Sequence, residues 1–243
     1  MNFRFDRPSC VSDMWASQVK IRTLAAPLAI FFLLAFVPVH AGTPQNALPA
    51  LSPRSQTAEV LALLSADAQQ VRSWATQGGN AQGLPFAVID KPAATLHVFD
   101  ARGELLASTP VLLGLARGDH SVPGIGERKM STILPHERTT PAGRFVSEPG
   151  RNLQGEDIVW IEYDTAVSLH RVRTSQPAER RLQRLASSTA ADNRISYGCV
   201  NVPAAFYDRY VAPVWGRQAG VVYVLPDGEP AASFFGYIPF APQ

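Results

Sequence analysis

Cysteine is nearly absent from this chain of 243 residues, which has only Cys10 and Cys199. Charge of one sign is absent too. Lys and Arg total 22 against 20 Asp and Glu, a formal net charge of +2, so the chain carries no basic footprint of the kind that binds nucleic acid. No apolar run reaches the roughly 20 residues of a comfortable membrane span; the nearest is Leu24 to Val37. There is no internal repeat and no low-complexity block. The 20 prolines and 17 glycines are spread through the chain, as in a loop-rich β protein.

The short apolar run instead reads as the core of an export signal. Lys20 and Arg22 precede it, Pro38 follows it, and Val39-His40-Ala41 offers a cleavage site after Ala41. Residues 1–13 are not needed for such a signal, and Met14 is an alternative start. On this reading residues 1–41 are a signal peptide and 42–56 a Pro-, Ala- and Ser-rich linker. Removing the signal removes Cys10 and leaves Cys199 as the one cysteine of an exported chain. An odd cysteine in an oxidising compartment points to intermolecular pairing or to a reactive thiol. The structural alternative is a buried, inert cysteine.

Hydrophobic periodicity then divides the chain. Val60, Leu61, Leu64, Ala68, Val71 and Trp74 recur at helical spacing, which predicts one amphipathic helix over 57–77, closed by Gly78-Gly79 (segment 57–79). From Phe86 the pattern is that of strands, expected at 86–90, 94–99 and 104–113, then at 144–146, 158–163, 166–170 and 220–225. Asp100-Ala101-Arg102-Gly103 is a turn. Residues 173–194 are polar and Arg-rich, a surface excursion in which Pro177 starts a short helix. A helix is expected over 203–215, ended or kinked by Pro213. The aromatic tail within 226–243 would pack on the domain. The fold class is mainly β, a sandwich- or barrel-like mixed sheet with a few helices, plus the N-terminal helix.

The chemistry concentrates at Ser196-Tyr197-Gly198-Cys199-Val200-Asn201 and at His170, which ends an apolar run. The thiolate is the reactive form of cysteine, and a neighbouring imidazole can take its proton. Gly198 permits a sharp turn, and the N–H groups of Gly198 and Cys199 are expected to face a developing oxyanion. His97, His120 and His136 with His170 match no metal-ligand spacing.

The pieces in order are Ala87–Asp90 with Thr95–Phe99, the turn Arg138-Thr139-Thr140-Pro141-Ala142-Gly143, Ser168-Leu169-His170, the Ser196–Asn201 segment and the strand from Gly220. Over residues 86–225 this order resembles the L,D-transpeptidase catalytic domain, the YkuD-type fold. The resemblance implies a cell-wall enzyme of the periplasm or cell envelope, acting on peptidoglycan stem peptides through a Cys199 thioester. It implies neither metal nor cofactor, no nucleic-acid partner, a monomer, and membrane contact only through the signal. His170 would be the base, oriented by the backbone carbonyl of Arg171. Ser196 would brace the loop, and Tyr197 and Asn201 would lie near the bound stem. Arg171, Tyr197 and the 173–194 excursion depart from the usual family pattern. The excursion and the loop 114–138 are expected to wall the cleft, with Arg171 and Arg173 meeting a stem-peptide carboxylate.

Other readings remain open at this point. The same fold could act as an L,D-carboxypeptidase, an amino-acid exchanger, or a ligase or amidase for an envelope protein. It could also be a non-catalytic wall-binding module. A papain-like peptidase is disfavoured because His170 precedes Cys199.

Overall fold

The computed structural model describes residue 61 and residues 64–216 and 218–236. The expected signal and linker, residues 1–56, and the end of the tail lie outside the described residues.

Two strands with unbroken apolar runs, β1 (Phe86–Asp90) and β10 (Gly220–Val224), pair in parallel and are buried along their whole length. Runs without polar alternation belong in the middle of a sheet covered on both faces. Around this pair the mixed sheet runs β3-β2-β1-β10-β5-β6-β7-β9. Its other strands are β2 (Thr95–Phe99), β3 (Leu105–Pro110), β5 (Gly143–Arg151), β6 (Asp157–Glu162), β7 (Val167–Arg171) and β9 (Val200–Val202). Strand β5 joins two halves: Gly143 to Ser147 pair with β10, and Glu148 to Arg151 pair with β6. The sheet therefore curls across β5 into a nearly barrel-like shape. A separate parallel pair joins β4 (Leu113–Gly114) to β8 (Arg194–Ser196).

The concave side holds the main core. Ala87, Ile89, Leu96, Val98, Val159, Leu169, Val200 and Val222 pack there against Tyr207, Val211 and Trp215. The opposite side of β1 and β10 packs on helix α1 (Ala66–Thr76), with Phe86, Val88, Val221 and Tyr223 meeting Ala68, Val71 and Ala75. Strand alternation assigns the two sets to the two faces.

Four expectations change in detail. Helix α1 begins only after Ser65, whose hydroxyl caps the Ala68 N–H at 3.1 Å; the continuous helix expected over 57–77 is interrupted there. Residues 57–60 of that expectation lie outside the described residues. The third strand stops at Pro110, which has no ladder donor, and the chain turns so that Leu112 bridges Asn201. In the excursion the helical turn expected at Pro177 is a 3-10 turn (Pro177–Glu179), followed by helix α2 (Arg181–Leu185) and a second 3-10 turn at Ala190–Asn193.

The expected helix over 203–215, here α3, passes through Pro213 without ending. It is α-helical at Ala204–Phe206, π-helical at Tyr207–Val211 and α-helical again at Ala212–Trp215. The Ala212 N–H reaches the Tyr207 carbonyl, one residue further than in an α-helix. Pro213 thus stands in the first turn of a restarted segment, where its missing N–H costs little. Helix α4 (Ala231–Phe235) returns to α1: the Ala231 N–H donates to Asp67 Oδ2 at 3.2 Å, and Phe235 lies 5.6 Å from Trp74 between ring centroids.

Helix α3 is tied to the sheet by Trp215 Nε1–H, which donates to Ser147 Oγ at 2.9 Å, while Ser147 Oγ–H donates to the Gly220 carbonyl at 3.0 Å. A Cβ at Gly220 would lie 2.2 Å from Trp215 Nε1 and 2.9 Å from the Pro85 carbonyl oxygen. Gly220→Ala is therefore expected to cost about 1–3 kcal/mol by overpacking. In urea unfolding the midpoint should fall with the slope unchanged.

Candidate active site

Strand β7 and the segment ending in β9 bring the two sequence candidates together. The strands pair in parallel with Leu169 opposite Val200 and His170 opposite Asn201. Val167, Leu169, Val200 and Val202 turn into the core. The alternating set, Ser168 and His170 on β7 with Cys199 and Asn201 on β9 and its approach, shares the other face. His170 and Cys199 are diagonal neighbours on that face. Both are buried, at 5% and 1% exposure.

The Cys199 sulfur sits 3.4 Å from the Ser168 N–H nitrogen, 3.5 Å from Ser168 Oγ and 3.6 Å from the Ala166 carbonyl oxygen. It leans along β7 toward Ala166 and Ser168, away from His170. Its immediate surroundings are polar.

His170 Nδ1 lies 2.8 Å from the Arg171 carbonyl oxygen. A carbonyl only accepts, so Nδ1 carries the hydrogen and Nε2 of the neutral ring is left as an acceptor. Burial pulls the imidazole down from 6.5 to about 4; the Arg171 carbonyl opposes this, and the guanidinium groups of Arg173 and Arg181 add to it. The ring is thus neutral at pH 7 and ready to receive a proton.

The loop before Cys199 is fixed from several sides. Gly198 has φ +133°, and a Cβ there would lie 2.8 Å from the Thr139 carbonyl oxygen, so glycine is required on both counts. Ser196 Oγ–H donates to the Cys199 carbonyl at 2.6 Å and accepts from the Gly198 N–H at 3.1 Å. That second contact corrects the expectation that the Gly198 N–H faces an oxyanion, because the donor is already used inside the turn.

Thr140 Oγ1–H donates to the Gly198 carbonyl at 2.7 Å and accepts from the Gly114 N–H at 2.9 Å. Behind Thr140 stands Lys91, fully buried, whose Nζ donates to the Thr140 carbonyl (2.9 Å), the Gly118 carbonyl (2.6 Å) and Asp119 Oδ1 (2.8 Å). Asp227, paired with Arg194 at 2.6 Å and with Lys91 at 3.4 Å, completes the cluster. Its carboxylate and that of Asp119 are held below the usual range by these cations, against the effect of burial. Neither Lys91 nor Thr140 stands out in the sequence as a site residue.

Three arginines beside the site have partners within the protein. The Arg171 side chain, on the core-facing alternation of β7, pairs with Asp157 (2.9 Å) and Asp208 (2.6 Å) and covers the Tyr207 ring at 4.2 Å. Arg173 pairs with Glu156. Both guanidinium groups are thus engaged within the protein. Arg181, from the excursion, donates to Asn201 Oδ1 at 2.6 Å, and Asn201 Nδ2–H donates to the Cys199 carbonyl at 3.1 Å. Asn201 is therefore a buried link between the excursion and the cysteine turn, not a residue open to a stem.

Beside the cysteine turn lies a narrow cleft. Ile125, Arg128, Met130 and Ile133 of the 114–138 loop wall it, with Ala166 and Tyr197 on the other side. Arg128 pairs with Glu137 at 2.8 Å, and the Arg138 guanidinium covers the Tyr197 ring at 3.9 Å. The excursion does not line this cleft. Among the described residues, no group of three or more His, Cys, Asp or Glu side chains is placed to hold a metal ion, and no helix is long and apolar enough to cross a membrane.

No family model matches the chain, and no curated protein matches it. Solved structures do. The LD transpeptidase LdtMt1 in complex with imipenem is 18% identical, covers 58% of each chain and has a TM-score of 0.35. The helical cell shape determining protein Pgp2 from Campylobacter jejuni is 13% identical over 60% of this chain and 48% of its own, with a TM-score of 0.39. The catalytic domain of the Enterococcus faecium L,D-transpeptidase is 18% identical over 58% of this chain and 96% of its own, with a TM-score of 0.31. The chain thus spans about half to three-fifths of the first two. Overlap and identity of this size carry no functional argument, which has to come from the chain's own residues.

Two outcomes follow from the geometry. His170 is held neutral in the fold and binds its proton in the unfolded chain from 6.5 downward, so stability should be lost as pH falls from 6.5 toward 4. The loss from this group is roughly 3 kcal/mol. Urea unfolding across that window should show a shallower pH slope for His170→Gln. Thr140→Val leaves the Gly198 carbonyl and the Gly114 N–H without their side-chain partner. It should cost about 1–3 kcal/mol for each group so stranded, read as a lower urea midpoint.

Proposed function

We propose that this chain is an exported acyltransferase that acts on peptidoglycan stem peptides through a Cys199 thioester, in the manner of an L,D-transpeptidase. The observation that carries the reading is the shared face of β7 and β9, which sets a buried cysteine diagonal to a histidine whose Nδ1–H is fixed and whose Nε2 accepts. The basic n-region and apolar run before Ala41 support export.

With Cys199 in its reduced, thiol form, rotation about χ1 would move the sulfur from Ala166 and Ser168 toward His170. Nε2 would take the thiol proton, and the thiolate would attack the carbonyl carbon at the L-centre of a diaminopimelate residue. The tetrahedral intermediate would collapse with loss of the terminal D-amino acid, its amine protonated by His170. An amine of a second stem would then attack the thioester, passing its proton back to the ring and regenerating the thiol. The cleft walled by residues 125–133 leads past Ala166, whose carbonyl touches the sulfur.

The test is mass spectrometry of purified muropeptides incubated with the protein under reducing conditions. Wild type should release the terminal D-amino acid and form dimers, and Cys199→Ala should reduce product by roughly 10³-fold or more. Shortened stems without dimers would assign the acceptor role to water. No product from either protein would refute the proposal. The acid limb of turnover should lie near pH 4, set by the buried imidazole, and not near its ordinary 6.5.

A further inference from the structure

A second pocket lies on the α1 side of the sheet, on strands β1 to β3, away from the cysteine turn. It has about 770 Å³ of open volume and is lined by Asp90, Thr95, His97 and Ser108, with Leu64, Leu105 and Leu106 as apolar wall. Strand pairing sets its polar groups on one face: Asp90 lies opposite Thr95, and His97 lies opposite Ser108.

Asp90 is the unusual member. It is 1% exposed; its Oδ1 accepts from the Ala93 N–H at 3.0 Å, and its Oδ2 has no hydrogen-bond partner. A buried carboxylate oxygen left without a donor is unfavourable, and a cation is the partner that relieves it most. Among the described residues none hydrogen-bonds this oxygen. Lys91, the next residue, points its Nζ to Gly118, Asp119 and Thr140 on the other side. His97 is 5% exposed, its Nδ1 lies 2.7 Å from Ser108 Oγ, and burial lowers its pKa against the pull of Asp90, so the ring is neutral at pH 7. The positive N-terminal end of α1 is met by its own Asp67 and by Ser65. What is missing is a compact positive charge with an apolar body to lie along the leucines.

We propose that this pocket is a second binding site, for a small aliphatic ammonium ion, with Asp90 as its counter-ion. A modest turn of the carboxylate brings Oδ2 to the ammonium group, Ser108 and Thr95 offer hydroxyl acceptors, and Leu64, Leu105 and Leu106 take the alkyl chain. The proposal is independent of the reading of Cys199.

The test uses n-pentylammonium chloride and neutral 1-pentanol, titrated separately into the full chain and followed by amide chemical shifts. The expected result is saturable shifts confined to β1–β3 and the start of α1, with the ammonium at least tenfold tighter than the alcohol. Asp90→Asn should weaken it at least tenfold. Equal binding of the alcohol, no saturable shift, or unchanged affinity in Asp90→Asn would overturn the proposal. If Asp90→Asn does not fold, Leu106→Trp at the exposed rim provides a second arm. It should abolish binding by closing the mouth, and retained binding there would equally overturn the proposal.

Discussion

The parallel register of β7 and β9 is the constraint on which the candidate site depends. A shift by one residue would exchange Leu169 and Val200 for His170 and Cys199, sending the polar pair into the apolar core. The core therefore enforces the register, and the register sets the site. The same alternation explains why Arg171, one residue beyond His170, has a side chain on the opposite face while its carbonyl holds the imidazole.

Around that face the protein uses polar contacts that are complete or nearly so. Ser196 closes the turn on itself, Asn201 relays the excursion to the Cys199 carbonyl, and Thr140 grips Gly198 from the side. Burial of His170 without a carboxylate partner makes the ring neutral.

Much of the scaffold was legible in the sequence because it is local. Strands β1, β2, β6, β7 and β10 carry their own patterns, and Asp100 to Gly103 carries its own turn chemistry. What could not be read depends on distant partners. Lys91 follows a strand like any surface lysine, and only the fold brings Asp119 and Asp227 to it. Arg173 and Asn201 look available for a ligand until Glu156 and Arg181 are placed beside them. The π-helical turn is likewise invisible, because Pro213 alone signals an end and the wider turn before it removes the conflict. The orphaned Asp90 oxygen is the clearest case, since an unmet partner is a property of the surroundings, not of the residue.

The Lys91 cluster has one further consequence. Its charges are buried, whereas the Arg171 pairs with Asp157 and Asp208 are half in water. Dissolved ions screen the second kind of contact and hardly reach the first. The corner that holds the cysteine turn should therefore be indifferent to ionic strength, while the hold between helix α3 and β7 loosens in brine. One molecule thus contains a salt-blind joint and a salt-sensitive one, only a few strands apart.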